Sequence, residues 1–508
     1  MQHLMEQACH KLMIAVMSGN VNAARQLLDR GTDVNFQLDS PGRRALLTAG
    51  GSGGCTALML AVRYGRDNAV ALAALLLDRG AAVNLQDNGG WTALMLAVRY
   101  GRDNAVTLAA LLLDRGAAVD LQMSDGWTAL MIAVEHGGDN SVDLAALLLD
   151  HGAAVDLQDI GGWTALMRAV RYGCDNAVSL AALLLDRGAA VNLQKSDGVT
   201  ALMIAVQLGG DNAVALATLL LDCGAAVNLQ SNNGWTALMI AVERGGDNSV
   251  GLAALLLDHA AAVDLQDNCG RTALMRAVRY GRDKAASLAA LLLDRGAAVN
   301  LQKSDGVTAL MIAVQLGGDN AVALATLLLD RSAAVNLPDS RGRTALMLAV
   351  QCRDDKTVAL ATLLLDRGAA VNLRDSFGNT ELMWAVQARG ANAVPLFTLR
   401  LDRGAAVDFQ DSCGGTALML ALATLLLDHG AAVDIQREDG ETALMLAVQR
   451  GGTDAIVLSR MLLASGATIS ITNQSGQTAA GLAARGSEVH SLLLDPRRLW
   501  RGLARPER

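Results

Sequence analysis

Apolar residues recur along this chain in two alternating helical stripes. In residues 90–122, GWTALMLAVRYGRDNAVTLAALLLDRGAAVDLQ, the first stripe is Leu94, Met95, Ala97 and Val98, at helical spacing. The second is Leu108, Leu111 and Leu112. Thr92 stands where its hydroxyl can take an orphan amide proton of the first helix. Gly101 suits the left-handed residue that ends that helix. Asp103 or Asn104 is placed to cap the second helix, and Gly116 to stop it. Residues 105–113 are apolar almost all round, which predicts a helix covered on several sides. A lone copy cannot bury these faces; a stack of copies can.

The copies are present. The threonine that opens the phrase recurs at Thr56, Thr92, Thr128, Thr164, Thr200, Thr236, Thr272, Thr308, Thr344, Thr380 and Thr416, always 36 residues apart. Thr442 follows after 26 residues and Thr478 after a further 36. The 508 residues therefore predict one repeat array rather than several globular domains.

Taken in order, residues 1–37 read as an N-terminal capping copy, made polar outside by His3, Glu6, His10 and Lys11. Residues 38–55 read as a glycine-rich insertion, and residues 56–410 as ten full copies. KSDGVTALMIAVQLGGDNAVALATLLLD occurs at 195–222 and again at 303–330, so a block of three copies repeats at 108 residues. The copy in residues 411–436 has lost ten residues and predicts one continuous helix from about Ala417 to Asp428, with a kink in the stack. Pro395 is a second expected fault, in the preceding second helix. Residues 437–495 read as C-terminal copies and cap, and 496–508 as a basic tail with five arginines.

Over nearly the whole chain the phrase G-x-T-A-L-M-x-A-V, a glycine, a Leu-rich helix and D-x-G-A-A-V-N/D resembles the ankyrin repeat. The resemblance implies an all-α solenoid of stacked helix–turn–helix units with short hairpin fingers. Thr-Ala-Leu-Met replaces the family's Thr-Pro-Leu-His. The lost histidine removes a polar link between neighbouring repeats, and methionine is expected to fill its space. The family's period is 33; the three extra residues here fall around the start of the second helix. They advance a helix by about 300°, so its apolar face stays roughly in phase.

Comparison among the copies separates scaffold from variable positions. Changes gather before the capping threonine, at the finger tip and at the end of the first helix. All four tyrosines and four of six tryptophans lie at these places, although aromatics are 3% of the chain. Such positions line the fingers and concave face that bind partners in ankyrin-like proteins. The candidate partner-binding set is Trp91, Trp127, Trp163, Trp235, Tyr64, Tyr100, Tyr172, Tyr280, Arg63, Arg99, Arg171 and Arg279, residue types that dominate interface hot spots. The plainer role for each tryptophan is a spacer packed on its neighbouring finger. Arg168 and Arg276 replace Leu or Ile on first helices and are expected to snorkel. His151, His259 and His429 are placed to bond exposed carbonyls at the ends of second helices.

Chemistry finds no foothold. Histidines and the seven cysteines are scattered, without metal-ligand spacing or a CxxC pair, and no phosphate-binding loop or nucleophile elbow occurs. No catalytic residue, metal or cofactor is expected. Unpaired cysteines suit a reducing compartment. The start, MQHLMEQACHKLMIAV, lacks a secretory pattern, and Asp and Arg interrupt every leucine cluster before it reaches membrane-spanning length. A net charge of −8 argues against nucleic acid as partner. The resulting expectation is a cytoplasmic or nuclear monomer that binds an unidentified protein as a scaffold or adaptor, with no nucleic acid and no membrane. The alternative is a substrate-targeting subunit of an enzyme complex such as a ubiquitin ligase.

Overall fold

A computed structural model describes residues 2–37, 53–350, 356–387, 393–420, 423–485 and 487–495. The insertion at 38–52 and the tail at 496–508 lie outside them. The chain forms two compact units, Met1–Ala262 and Val263–Arg508. Each is a stack of helix pairs, and among the described residues there are only helices, turns and isolated bridges. In the copy read above, the first helix is Ala93–Tyr100 and the second Ala105–Asp114. Within each unit first helices pack on the first helices of neighbouring copies, and second on second.

Threonine starts each full copy as expected. Thr92 Oγ1 accepts from Met95 N at 3.2 Å, and the same bond recurs at Thr128, Thr164 and Thr200. Such a cap contributes about 1 kcal/mol. The turn between helices differs from the expectation. Gly101 has φ −65°, in the ordinary helical region. A Cβ there would stand 2.4 Å from Ala97 O and 2.6 Å from Ala105 Cα. Glycine is needed because two helix ends meet at this point, and the left-handed residue is the next one, Arg102, at φ 51°.

Arg102–Asn104 then forms a single 3-10 turn, which takes up the three residues beyond a 33-residue period. In the two Gln-Leu copies these residues join the second helix instead, as Asp211–Asp222 and Gly318–Asp330. The turn also displaces the expected cap. Ala105 N already donates to Arg102 O, and Asn104 makes no side-chain capping bond. Equivalent asparagines reach back to the preceding copy instead: Asn68 Nδ2 donates to Gly19 O at 3.0 Å and Asn140 Nδ2 to Arg102 O at 3.2 Å.

Leu108, Ala109 and Leu112 of the second helix are fully buried. His151 and His259 end their helices with Nδ1 2.9 Å from a carbonyl four residues back. Most second helices stop on a left-handed glycine, such as Gly116 at φ 82°; Ala260 and Ser332 hold the same conformation at φ 62° and 65°.

Methionine does fill the core, with Met95 at 1% exposure. Polar links between copies run through the fingers. Gln86 Nε2 donates to Gly90 O at 2.8 Å and to Gln122 O, one copy on, at 2.9 Å. Asn84 Oδ1 accepts from Ala118 N at 2.7 Å. Many fingers are closed by their own carboxylate, as where Asp87 Oδ1 accepts from the amides of Gly89 and Trp91; Ser231 and Asn473 take that place in two others.

In the unit Val263–Arg508 the shortened copy forms two short helices, Ala417–Leu420 and Ala423–Asp428, rather than one continuous helix. Each packs on its counterpart in the next copy. Pairing wins because each layer offers an apolar surface that one straight helix would leave uncovered. One core runs from Leu382 through Ala417, Leu426 and Leu444 to Leu493. Pro395 lies in the first turn of Ala393–Asp402, where the amide it lacks would have no intrahelical partner. The N-terminal helix, Gln2–Met17, reaches further back than the repeat phrase indicates.

Two full charges are buried in this second unit. Glu381 follows its threonine where every other copy has alanine, and Arg400 stands where other copies have leucine. Both have no solvent exposure. Glu381 Oε1 accepts from Thr344 Oγ1 at 3.4 Å, while Oε2 has no partner. Arg400 donates to Leu396 O at 3.0 Å and Leu346 O at 3.5 Å. Burial pushes the Glu381 carboxyl up to about 7 and the Arg400 guanidinium down to about 10.

Candidate functional site

In the unit Met1–Ala262 the tryptophan before a capping threonine meets the last residue of the helix that follows in four copies. The eight-residue helix sets this pairing, since it returns its final side chain to the side on which the finger ends. Trp91 and Tyr100 have ring centroids 6.3 Å apart, and Trp163 and Tyr172 6.0 Å. Trp127 lies parallel to His136 at 5.9 Å. Trp235 is covered by Arg244, whose Cζ is 5.1 Å from its ring centre. Successive copies thus build a row of paired rings.

The tryptophans are half-buried in this row. Tyr100 and Tyr172 are 37% and 41% exposed. Arg63 and Arg99 lean over Tyr100, with Cζ 4.7 and 5.8 Å from its centre, and Arg171 lies 5.9 Å over Tyr172. Cation–π contacts of this kind hold an arginine in place without neutralising it. Arg279 and Tyr280 belong to the other unit, where Arg279 Nε donates to Tyr280 Oη at 3.2 Å.

The sequence reading missed the residue that ties the row together. Arg168 does not snorkel: it is 5% exposed and ion-paired with both Glu135 and Asp159. Its Cζ lies 3.4 Å from the centre of the Trp127 ring and 5.8 Å from that of Trp163. Arg276, 1% exposed, pairs with Asp267 in the same manner in the other unit. The guanidinium turns inward because the finger aspartate uses Oδ1 on its own loop and offers Oδ2 to the helix. A buried charge is tolerable when so paired. The aspartate nine residues upstream, at 159 and 267, is the signal in the sequence.

One copy interrupts the row. Val199 and Leu208 replace the tryptophan and the tyrosine, leaving a recess of about 430 Å³ between Trp163 and Trp235. Val199, Ile204 and Ile240 line it, with Arg171 and Arg244 at its edges. Lys195 also lines it but is spent on Asp197. Asp197, Gln207, Ser231 and Asn233 complete its lining, so the recess joins an apolar floor to polar walls, with cations at its edge. A second recess, of about 780 Å³, is bounded by Arg63, Tyr64, Arg99 and Tyr100. Burial, and then the charge of Arg99, hold His136 below the usual imidazole range.

Among the described residues no cluster of His, Cys, Asp or Glu could hold a metal ion, and no helix is long and apolar enough to cross a membrane.

A family model described as ankyrin repeats, in sets of three copies, matches residues 12–123, 107–195, 177–252, 202–290, 283–375 and 420–498. No curated protein matches the chain.

Proposed function

Since the chain belongs to the ankyrin-repeat family, whose repeats generally mediate protein–protein interaction, we propose that it is a non-catalytic scaffold or adaptor whose main binding surface is the aromatic row of the unit Met1–Ala262. Trp91, Trp127, Trp163, Trp235, Tyr64, Tyr100 and Tyr172 supply rigid apolar area, and Arg63, Arg99 and Arg171 supply charge. Tyr280 and Arg279 form a separate, smaller patch of the same chemistry.

The observation that carries this reading is the recess at Val199. Its walls are Trp163 and Trp235, and no residue of the intervening copy fills it. An apolar side chain from a partner, flanked by carboxylates that reach Arg171 and Arg244, suits that shape and charge. Tryptophan and arginine side chains, which border this recess, are the types that concentrate binding energy at interfaces.

The test is capture of partners from native lysate by the full chain and by a variant with Trp163→Ala and Trp235→Ala, the two matched for helicity and melting. A protein held by the first and released by the second supports the surface. Equal capture by both places the contact elsewhere on the chain and refutes it.

A further inference from the structure

The N-terminal end of this row gathers cations. Arg63, Arg66, Arg99 and Arg102 line one open recess of about 780 Å³. None of the four makes an ion pair among the described residues, whereas the helix-end arginines Arg79 and Arg115 each find an aspartate. The guanidiniums of Arg63 and Arg99, from successive copies, converge over one ring, that of Tyr100. Two like charges so placed repel each other, and an anion between them reverses that interaction.

Two further observations point to the same occupant. Arg66 and Arg102 occupy the left-handed region, at φ 49° and 51°, where two later copies use Gly138 and Gly246. An arginine therefore stands where the backbone favours glycine, and such strain gathers at functional sites. Finally, Asp67 and Asp103 also line the recess, so four guanidiniums against two carboxylates leave a net charge of plus two. A phosphate monoester, at about −2 near pH 7, matches that charge; a single carboxylate does not.

In the unit Met1–Ala262 only these two successive copies carry both arginines; Arg279 and Arg282 repeat the pair in the other unit. Glu135 and Gly138 take the places of Arg99 and Arg102 in the next one. A single-stranded nucleic acid needs a continuous cationic track; a lone phosphoryl group needs one point.

We propose that this recess receives a phosphorylated side chain of the partner protein. Arg63 and Arg99 engage its oxygens as charge-assisted donors, and Arg66 and Arg102 close the outer side. The proposal rests on the reading of this unit as the partner-binding surface.

The experiment is fluorescence anisotropy with the full chain and degenerate peptide libraries centred on phosphoserine, phosphothreonine or phosphotyrosine. The same libraries without phosphate and a single-stranded oligonucleotide serve as comparisons. Two variants accompany the wild type: Arg63→Gln with Arg99→Gln, and Trp163→Ala with Trp235→Ala, each checked for unchanged melting. At least one phosphorylated library is expected to bind roughly tenfold more tightly than its unphosphorylated form, from the strength of charged hydrogen bonds. The arginine variant is expected to abolish that difference and the tryptophan variant to retain it. Equal binding of both library forms, lost only in the tryptophan variant, overturns the phosphate site and leaves the aromatic surface standing. Equal binding of the oligonucleotide overturns it in favour of general polyanion binding. No binding of any library overturns both.

Discussion

Changing Glu381 to alanine and Arg400 to leucine together is expected to stabilise the unit Val263–Arg508. Both charges are fully buried, and no carboxylate–guanidinium bond joins them among the described contacts. Raising the Glu381 carboxyl from 4.5 to about 7 opposes folding by about 3 kcal/mol above pH 7, at 1.36 kcal/mol per pKa unit. The double variant restores the alanine and leucine of the other copies and is expected to gain about 1–4 kcal/mol. Glu381→Ala alone leaves the buried guanidinium with only the carbonyls of Leu396 and Leu346 and is expected to be less stable than the double variant. The sign with pH is distinctive. A folded-state carboxyl above its unfolded value contributes stability that is full below pH 4.5 and is lost as pH rises through 7. Burial is the main cause, opposed by the Arg400 charge and the Thr344 hydroxyl and reinforced by Asp375. Hydrogen–deuterium exchange of the amides in Glu381–Gln387 is the suitable assay, because long arrays need not unfold in one step. Protection in the wild type should weaken from pH 5 to pH 8 relative to the double variant, after correction for intrinsic exchange. A double variant less protected than the wild type, with no pH-dependent difference, would refute the reasoning.

Ala260→Gly and Ser332→Gly should each raise the melting midpoint, since relief of a left-handed side chain, about 1–2 kcal/mol, outweighs the added freedom of the unfolded chain. Gly101→Ala should destabilise by about 2 kcal/mol in urea titration, because its Cβ would meet the backbone of both flanking helices. Arg168→Met should destabilise by about 3 kcal/mol by leaving Asp159 and Glu135 without their shared cation; Trp127 fluorescence, freed of the guanidinium over its ring, should change with it. An unchanged spectrum would show that the contact does not persist in solution.

The repeat, the threonine caps and the apolar stripes were legible because each depends on spacing that one copy displays and every other copy repeats. What was not legible depends on conformation or on distant partners. The letter at 101 reads as a helix stop either way; only the backbone shows that the close approach, not φ, demands glycine. The capping role assigned to Asp103 or Asn104 failed because a 3-10 turn had already satisfied the amides. The burial of Arg168 needs Asp159 from its own finger and Glu135 from the preceding helix, 33 residues away. Val199 and Leu208 were visible as departures from the aromatic pattern. That they open a recess follows only from the stacking of their neighbours.

The shortened copy separates two rulers within one fold. Ten residues are gone from its helical layer, yet Gln410 still donates to Gln436 O at 3.0 Å and Ala432 N to Asp408 Oδ1 at 2.8 Å, the bonds that join fingers elsewhere. Finger spacing is therefore metered by its own bonds and not by the length of chain that lies behind it. A partner gripping several fingers would sense no deletion. Helices can be trimmed or extended in individual copies, by mutation or by design, while the recognition ridge keeps its pitch.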